Sequence, residues 1–186
     1  YVSGLTIECA YNPVDESAKR FEKCEKIKCY TGDYEEFLEN VDAVYIASPN
    51  ETHFEYAKKA IEAGKHVLSE KPLSFTKKES EVLYTSAKEK GLVLMEAVKA
   101  AYCPGFQQLI NVAKSGKIGD IVDVEASFTR LADPLSRERT DAEYGGAFLE
   151  FGPSVLVPVI KLMGKDYTSV TFDSIYDGNG VDPVSY

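Results

Sequence analysis

The sequence predicts an α/β protein, in which an incomplete, doubly wound parallel sheet is followed by the start of an α+β domain with a largely antiparallel sheet. Three observations predict this class. Short unbroken apolar runs alternate with helical segments in the first half of the chain. Residues that begin and end helices separate these runs. After about residue 98 the pattern changes to a longer apolar and polar alternation, so we expect two domains, 1–98 and 99–186.

Four short apolar runs predict the strands of the first domain. Runs of this length without polar interruption are typical of strands that are buried on both faces of a parallel sheet. They are Leu5–Ala10, Ala43–Ala47, His66–Ser69 and Leu92–Met95.

Helix signals lie between these strands. In a capping box, a side chain at the start of a helix and a carboxylate three residues later satisfy free backbone donors. Glycine after the last turn permits the left-handed conformation that ends many helices. The predicted boxes are Thr52 with Glu55, Thr76 with Glu79 and, more weakly, Asp33 with Glu36, and the predicted end caps are Gly64 and Gly91.

The second half reads as a different arrangement. Phe106–Ser115 has a helical pattern that ends before Gly116. Ile121–Arg130 alternates apolar and polar side chains, which predicts a half-exposed strand of the antiparallel kind. A helix over Gly146–Met163 is predicted next, bent or broken by its two prolines, and then a strand over Thr168–Ile175.

Composition narrows the class of protein. The chain has 186 residues, 44% hydrophobic, and a formal charge of -9, which argues against nucleic acid as a partner. No apolar stretch approaches the roughly 20 residues of a membrane span, and no signal peptide is evident, so we expect a cytoplasmic protein without a membrane partner. The spacing of cysteines and histidines predicts no metal site, and we expect buried, reduced thiols at Cys9, Cys24, Cys29 and Cys103.

The strongest functional signal is a pair of segments that follow two consecutive predicted strands. The first reads ASPNETH over 47–53 and the second GKHVLSEKP over 64–72. Their polar residues lie just beyond the carboxyl ends of the strands, where open α/β sheets bind ligands. Together with SGKIGDIVDVEASF and GGAFLEFG further along, these segments resemble the glucose-fructose oxidoreductase / inositol dehydrogenase (Gfo/Idh/MocA) family.

The resemblance implies a Rossmann-like domain that binds NAD or NADP, a small sugar or polyol-like substrate, and a homo-oligomer when the protein is full length. It implies that the catalytic pair is Lys71 and Glu150. The implied cofactor-binding residues are Asn12, Ser48, Pro49, Asn50, His53, Glu70, Lys71 and Glu96. Simpler interpretations remain open: Asn50 suits a turn, His53 a surface position, and His66 packing in the core.

Lys71 has a chemical reason to be in such a site. When hydride joins or leaves a carbon that bears oxygen, charge develops on that oxygen and needs a hydrogen-bond donor or proton partner. A lysine ammonium supplies both. The tight exit from the strand also predicts a cis bond between Lys71 and Pro72. The alternative is that Glu70 and Lys71 form a solvated charge pair of little energetic value.

The sequence departs from the family pattern in two ways. It has no G-x-G-x-x-G run, so we expect a preceding strand–helix unit of roughly 25–30 residues, a natural protein longer at both ends, and weak cofactor binding by the 186 residues alone. Many relatives also carry D-x-G-x-H, where this sequence has Glu150 and Ser154. Serine cannot take up a proton near neutral pH. Either Lys71 therefore does the acid–base work alone or with the help of Glu150 or Tyr102, or the protein is a dinucleotide-binding sensor. The expected substrate contacts are Ser154 and Tyr102.

Overall fold

The structure is a computed structural model that describes residues 3–14 and 27–186. The chain divides into two compact units. The first comprises Tyr1–Ser69 and Ser74–Met95, and the second comprises Glu70–Leu73 and Glu96–Tyr186. Parallel strands with helices form the first unit, and an antiparallel strand pair with helices forms part of the second. The predicted α/β class is confirmed.

The part of the first unit that the structure describes contains five short strands in two groups. They are β1 (Cys9–Tyr11), β2 (Cys29–Thr31), β3 (Ala43–Ile46), β4 (His66–Ser69) and β5 (Leu94–Glu96). The pairs β1–β2 and β3–β4 are parallel, and the second group has the order β3-β4-β5. In a doubly wound sheet of order 3-2-1-4-5-6 these groups correspond to positions 3-2 and 4-5-6. No strand among the described residues corresponds to position 1.

A disulfide joins β1 to β2. Cys9 and Cys29 are direct partners in the parallel register, with their Cα atoms 4.6 Å apart, a separation that a disulfide can bridge. The prediction of reduced thiols is therefore wrong for this pair, because the register that brings them together is not visible in their spacing along the chain. Cys103 is free and exposed rather than buried. Cys24 lies outside the described residues.

The described residues of the first unit contain four helical segments: α1 (Tyr34–Glu39), a 3₁₀ turn (Asn50–Thr52), α2 (His53–Glu62) and α3 (Lys77–Glu89). The capping box of Thr76 with Glu79 is confirmed, since both reciprocal hydrogen bonds form. Asp33 caps α1 by accepting from two backbone N–H groups. The prediction for Thr52 is wrong. Its hydroxyl donates to the Pro49 carbonyl instead, because the 3₁₀ turn precedes α2 without an extended cap residue.

Helices α2 and α3 cover one face of the β3-β4-β5 group. Ile61 and Leu83 are almost completely buried at this interface, as are Val44 and Val67 on the strands beneath. The alternate strand residues Tyr45 and Leu68 are 58% and 40% exposed. The prediction that both faces are buried is therefore wrong within the described part of the chain, because these two helices pack on one side only.

An aromatic cluster connects the two groups of strands. The ring of Tyr11, in β1, lies 4.9 Å from that of Tyr34 and 5.5 Å from that of Tyr56 between centroids. The hydroxyls of Tyr11 and Tyr56 are 3.2 Å apart, and the Tyr34 hydroxyl donates to the backbone carbonyl of Tyr56. Burial raises the pKa of Tyr11 to about 12, and the hydrogen bond with Tyr56 adds to the shift. The cluster thus fixes the end of β1 against α2.

Most of the regular secondary structure in the second unit is helical. Its elements are α4 (Lys99–Tyr102), α5 (Pro104–Lys114), α6 (Arg137–Thr140), α7 (Ala147–Met163), β6 (Ser174–Ile175) and β7 (Val184–Ser185). Helices α4 and α5 pack against α7, which continues through Pro153 and Pro158 without a break. Within residues 3–14 and 27–186, no helix has the length and apolar character that crossing a membrane requires.

Two predicted strands differ from the structure. Residues 121–130 form no ladder with any described segment, although they were expected to be a strand. The predicted strand Thr168–Ile175 is reduced to β6, which pairs with β7 in antiparallel register. A strand needs a partner to accept and donate its ladder hydrogen bonds, so an alternating pattern alone does not create one.

Candidate active site

Lys71 lies in the short segment that leaves β4. The bond between Lys71 and Pro72 is cis, as predicted. One residue further on, the backbone N–H of Leu73 donates to the Glu96 carboxylate at 2.9 Å. Glu96 therefore anchors the segment that carries Lys71 to the beginning of the second unit. Its expected contact with the cofactor stays a prediction.

The structure brings Lys71 and Glu150 together although 79 positions separate them. The Lys71 ammonium donates to the Glu150 backbone carbonyl at 2.5 Å and to its carboxylate oxygen Oε1 at 3.2 Å. The two side chains are 19% and 29% exposed. The pair is thus partly desolvated, which strengthens the interaction compared with one in open solvent. Two of the three N–H donors of the ammonium are engaged by these acceptors, and the third can meet a ligand.

The start of α7 positions Glu150. Asp182 supplies two acceptors there: its backbone carbonyl takes the N–H of Ala147 at 2.7 Å, and its carboxylate takes that of Phe148 at 3.0 Å. Gly146 precedes the helix with φ at +95°, a conformation that glycine adopts readily. The first turn of α7, which carries Glu150, is therefore fixed from outside the helix.

The turn before this helix depends on a second aspartate. Asp141 Oδ1 accepts the backbone N–H of Tyr144 at 2.9 Å and that of Glu143, and Oδ2 accepts from the Arg137 guanidinium. The hydrogen bond from Tyr144, followed by that from Arg137, lowers the pKa of Asp141 below its ordinary value, against the opposing effect of burial. Sequence reasoning missed both Asp141 and Asp182, because neither stands in a motif that marks it.

For Ser154 and Tyr102 the structure gives a position on a helix and a degree of exposure. Ser154 is four residues after Glu150 on α7, so the two share one face of the helix, and it is half-buried. Tyr102 ends α4, which packs against α7, and its side chain is 54% exposed. The expected contacts of both residues with a substrate stay predictions.

In the first unit, the loop after β3 is organised by its own hydrogen bonds. The hydroxyls of Ser48 and Thr52 are 2.6 Å apart. His53 is buried, with 1% of its area exposed, and its Nε2 donates to the Ser48 carbonyl at 2.9 Å. A carbonyl only accepts, so Nε2 carries the hydrogen. His53 therefore stabilises the loop through a buried hydrogen bond. The interpretation of it as a surface residue is wrong.

The other predicted residues of this unit occupy strand ends and turns. Asn12 follows β1, and its Oδ1 accepts the N–H of Val14 at 2.9 Å, which closes a turn. Asn50 begins the 3₁₀ turn after the exposed Pro49. His66 is exposed and its Nδ1 accepts the N–H of Val93, so the interpretation as a core residue is wrong. Glu70 is half-buried beside Lys71 in the sequence.

These residues suit part of a dinucleotide. Hydroxyl and amide side chains at the ends of β1 and β3, from Asn12, Ser48 and Asn50, are the groups that bind ribose hydroxyls and a carboxamide. The chain has no glycine-rich run that would receive the pyrophosphate. The donor set therefore fits the ribose and nicotinamide portions of the cofactor. Direct contact of each residue with it stays a prediction.

Comparison with known proteins identifies the family. Residues 2–98 match the family model GFO_IDH_MocA, described as an oxidoreductase family with an NAD-binding Rossmann fold. The chain belongs to this Gfo/Idh/MocA family. The predicted resemblance is confirmed, and so is NAD or NADP as the cofactor class of the family.

Individual relatives agree with this assignment. The chain is 38% identical over 129 residues to a dTDP-3,4-didehydro-2,6-dideoxy-alpha-D-glucose 3-reductase of Actinomadura kijaniata, covering 69% of this chain and 39% of the relative. It is 34% identical over 157 residues to the NADP⁺-dependent scyllo-inositol 2-dehydrogenase of Bacillus subtilis strain 168, covering 78% and 47%. The chain thus spans less than half the length of these two curated relatives.

A solved structure shares the fold of both regions. The crystal structure of a 3-ketoreductase from Actinomadura kijaniata, in complex with NADP and TDP-benzene, matches with a TM-score of 0.77 and 32% identity. The match covers 91% of this chain and 51% of that one. It therefore extends well beyond residue 98, into the region that carries Glu150.

Proposed function

We propose that the protein is an NAD(P)-dependent oxidoreductase that transfers hydride between the nicotinamide and a secondary alcohol or ketone of a sugar, cyclitol or related diol. The observation that carries the proposal is the Lys71–Glu150 pair, in which a partly buried ammonium is held 3.2 Å from a carboxylate oxygen. Named relatives that reduce a keto sugar or oxidise an inositol support the substrate class.

In this proposal Lys71 acts on the substrate oxygen. The bound nicotinamide supplies or accepts the hydride. In the reducing direction, Lys71 donates a proton to the carbonyl oxygen as that oxygen gains charge, and in the oxidising direction the neutral amine takes the hydroxyl proton. Glu150 holds the amine in position through the carboxylate contact, and its backbone carbonyl restricts the direction of the remaining N–H groups.

The test is a substitution that removes the amine and keeps the side-chain volume. In the complete protein, Lys71→Met is expected to reduce kcat by about 10²-fold or more while cofactor affinity changes little. Lys117→Met, at an exposed lysine in the same unit, is the matched control and should leave both unchanged. Equal turnover by Lys71→Met and the unmodified protein would remove Lys71 from the reaction.

A second candidate function is a dinucleotide-binding sensor. The residue at position 154 favours it, because the sequence has serine at the position where the family pattern implies a histidine that accepts a proton. A panel of inositols, neutral sugars and keto sugars, each tested with NAD and NADP by nicotinamide absorbance, separates the two. Retained cofactor binding without turnover of any compound supports the sensor, and turnover of one compound supports the enzyme.

A further inference from the structure

One cavity in the second unit combines two arginines with an apolar wall. Its volume is about 260 Å³, close to the lower end of the range typical of small-molecule pockets, roughly 300 to 1,000 Å³. The apolar side includes Leu131, Phe151 and Pro183. Its charged side chains are Arg130, Glu138 and Arg139. A concave site with few charged groups on an apolar background is the usual form of a site for a small ligand.

Arg130 is held in place on two sides. Its Nη2 donates to the carboxylate of Glu138, and its guanidinium carbon lies 5.1 Å from the centroid of the Phe151 ring. A cation–π contact of this kind attracts the guanidinium to the face of the ring. The side chain is 47% exposed, so donors remain open to a ligand after the ion pair with Glu138 has formed.

Arg139 is held by an ion pair with an aspartate that lies later in the sequence. Its Nη2 lies 3.4 Å from Oδ2 of Asp177, which is itself only 17% exposed, while Arg139 is 33% exposed. This contact engages one nitrogen of a group that has five N–H donors. Both arginines therefore meet the cavity with guanidinium groups whose directions are set before any ligand arrives, which lowers the entropic cost of binding.

We propose that this cavity binds the oxyanion of a small acidic ligand, either a phosphate or a carboxylate, through Arg130 and Arg139. Planar guanidinium forks match the oxygen geometry of both groups and can donate to them in pairs. The overall charge of -9 does not prevent this, because charges beyond about 8 Å are largely screened at physiological salt. Two arginines and one glutamate line the cavity, and the carboxylates of Asp177 and Asp182 lie beside Arg139 and Gly146.

The cavity lies in the same compact unit as the Lys71–Glu150 pair. Neither residue of the pair lines it. Phe151, which does, follows Glu150 in α7, where successive side chains project in different directions. The inference therefore concerns a separate site for a small acidic ligand and does not rest on the proposed function.

The experiment measures binding directly, without turnover. The complete protein is titrated calorimetrically with glucose 6-phosphate, glucuronate and, as the neutral comparison, glucose. We expect at least one acidic sugar to bind about tenfold more tightly than glucose or better, and the preferred one distinguishes phosphate from carboxylate. Arg130→Gln and Arg139→Gln should each weaken that binding by about tenfold or more and leave the affinity for glucose unchanged.

The matched control is Lys165→Gln. Lys165 is exposed, belongs to the same unit and does not line the cavity, and its replacement changes the net charge by the same amount. If Arg139→Gln fails to fold, Arg139→Lys keeps the charge without the planar fork and should show an intermediate loss. Equal binding of glucose and both acidic sugars, or an equal loss in Lys165→Gln, would overturn the proposal.

The two proposals fail separately. Arginine-dependent binding of an acidic sugar without any hydride transfer would contradict the proposed enzyme and support the cavity assignment. Turnover of neutral polyols would support the enzyme, while binding of acidic sugars that Arg130→Gln and Arg139→Gln leave unchanged would contradict the cavity assignment.

Discussion

Gly146 and Asp182 are packed so closely that a Cβ atom built on the glycine would overlap Oδ1 of the aspartate. The same carboxylate accepts the backbone N–H of Phe148 at 3.0 Å and the Ser185 hydroxyl at 2.5 Å. Asp182 therefore joins the beginning of α7 to β7. A side chain at position 146 would displace the group that fixes the first turn of the helix.

Replacing this glycine should cost more than replacing another with the same backbone conformation. Gly146→Ala and Gly164→Ala both place alanine at positive φ, at +95° and +88°, which costs about 1–3 kcal/mol. Only at Gly146 does the new methyl group also collide with a neighbour, which adds about 1–3 kcal/mol. Urea unfolding should place Gly146→Ala below Gly164→Ala in stability, and equal losses would contradict the steric role.

Substitution of His53 should destabilise the first unit. In His53→Leu the Ser48 carbonyl loses the Nε2 donor in a buried place, which costs about 1–3 kcal/mol of unfolding free energy. Glu55→Ala, at an exposed position of the same helix, is the control and should stay within about 0.5 kcal/mol of the unmodified protein. Urea unfolding at neutral pH measures both. A His53→Leu protein as stable as the control would show that the loop does not depend on this hydrogen bond.

The aromatic cluster should make stability fall at high pH. The pKa of Tyr11 is about 12 in the folded protein and about 10 when unfolded, so the folded state keeps the Tyr11 proton where the unfolded state releases it. The contribution is complete below pH 10 and is lost as the pH rises toward 12. We expect Tyr11→Phe to reduce the loss of stability between pH 9 and pH 11, measured by urea unfolding at each pH.

Tyr167→Phe provides the comparison for this measurement, because Tyr167 is 73% exposed and lies in the second unit. It should leave the dependence on pH as it is in the unmodified protein. Identical profiles for Tyr11→Phe and Tyr167→Phe would mean that the cluster does not retain the proton.

Local patterns predicted the elements that local interactions determine. The apolar runs around Ala43–Ile46 and His66–Ser69 became β3 and β4, and Thr76 became a helix cap with the expected partner. Each depends on residues no more than a few positions away. The first strand was predicted over Leu5–Ala10, but β1 begins only at Cys9. Leu5 and Ile7, which suggested the earlier start, are exposed and form no ladder.

Features that depend on distant segments were not predictable in the same way. The disulfide of Cys9 with Cys29 follows from a strand register, and the cap from Asp182 reaches a helix 34 positions earlier. Neither the disulfide nor this cap produces a periodic pattern in the sequence. Lys71 and Glu150 were expected together only because the family resemblance marks both, and their proximity is observed while their chemical roles stay predictions.

The hydrogen bond from Leu73 to Glu96 has a mechanical consequence. The chain passes between the compact units at three places, after residues 69, 73 and 95, and the four residues 70–73 are grouped with the helical unit. Lys71 and Glu150 thus belong to one body, although a sheet strand introduces the lysine. The hydrogen bonds between the two residues therefore form inside one compact unit.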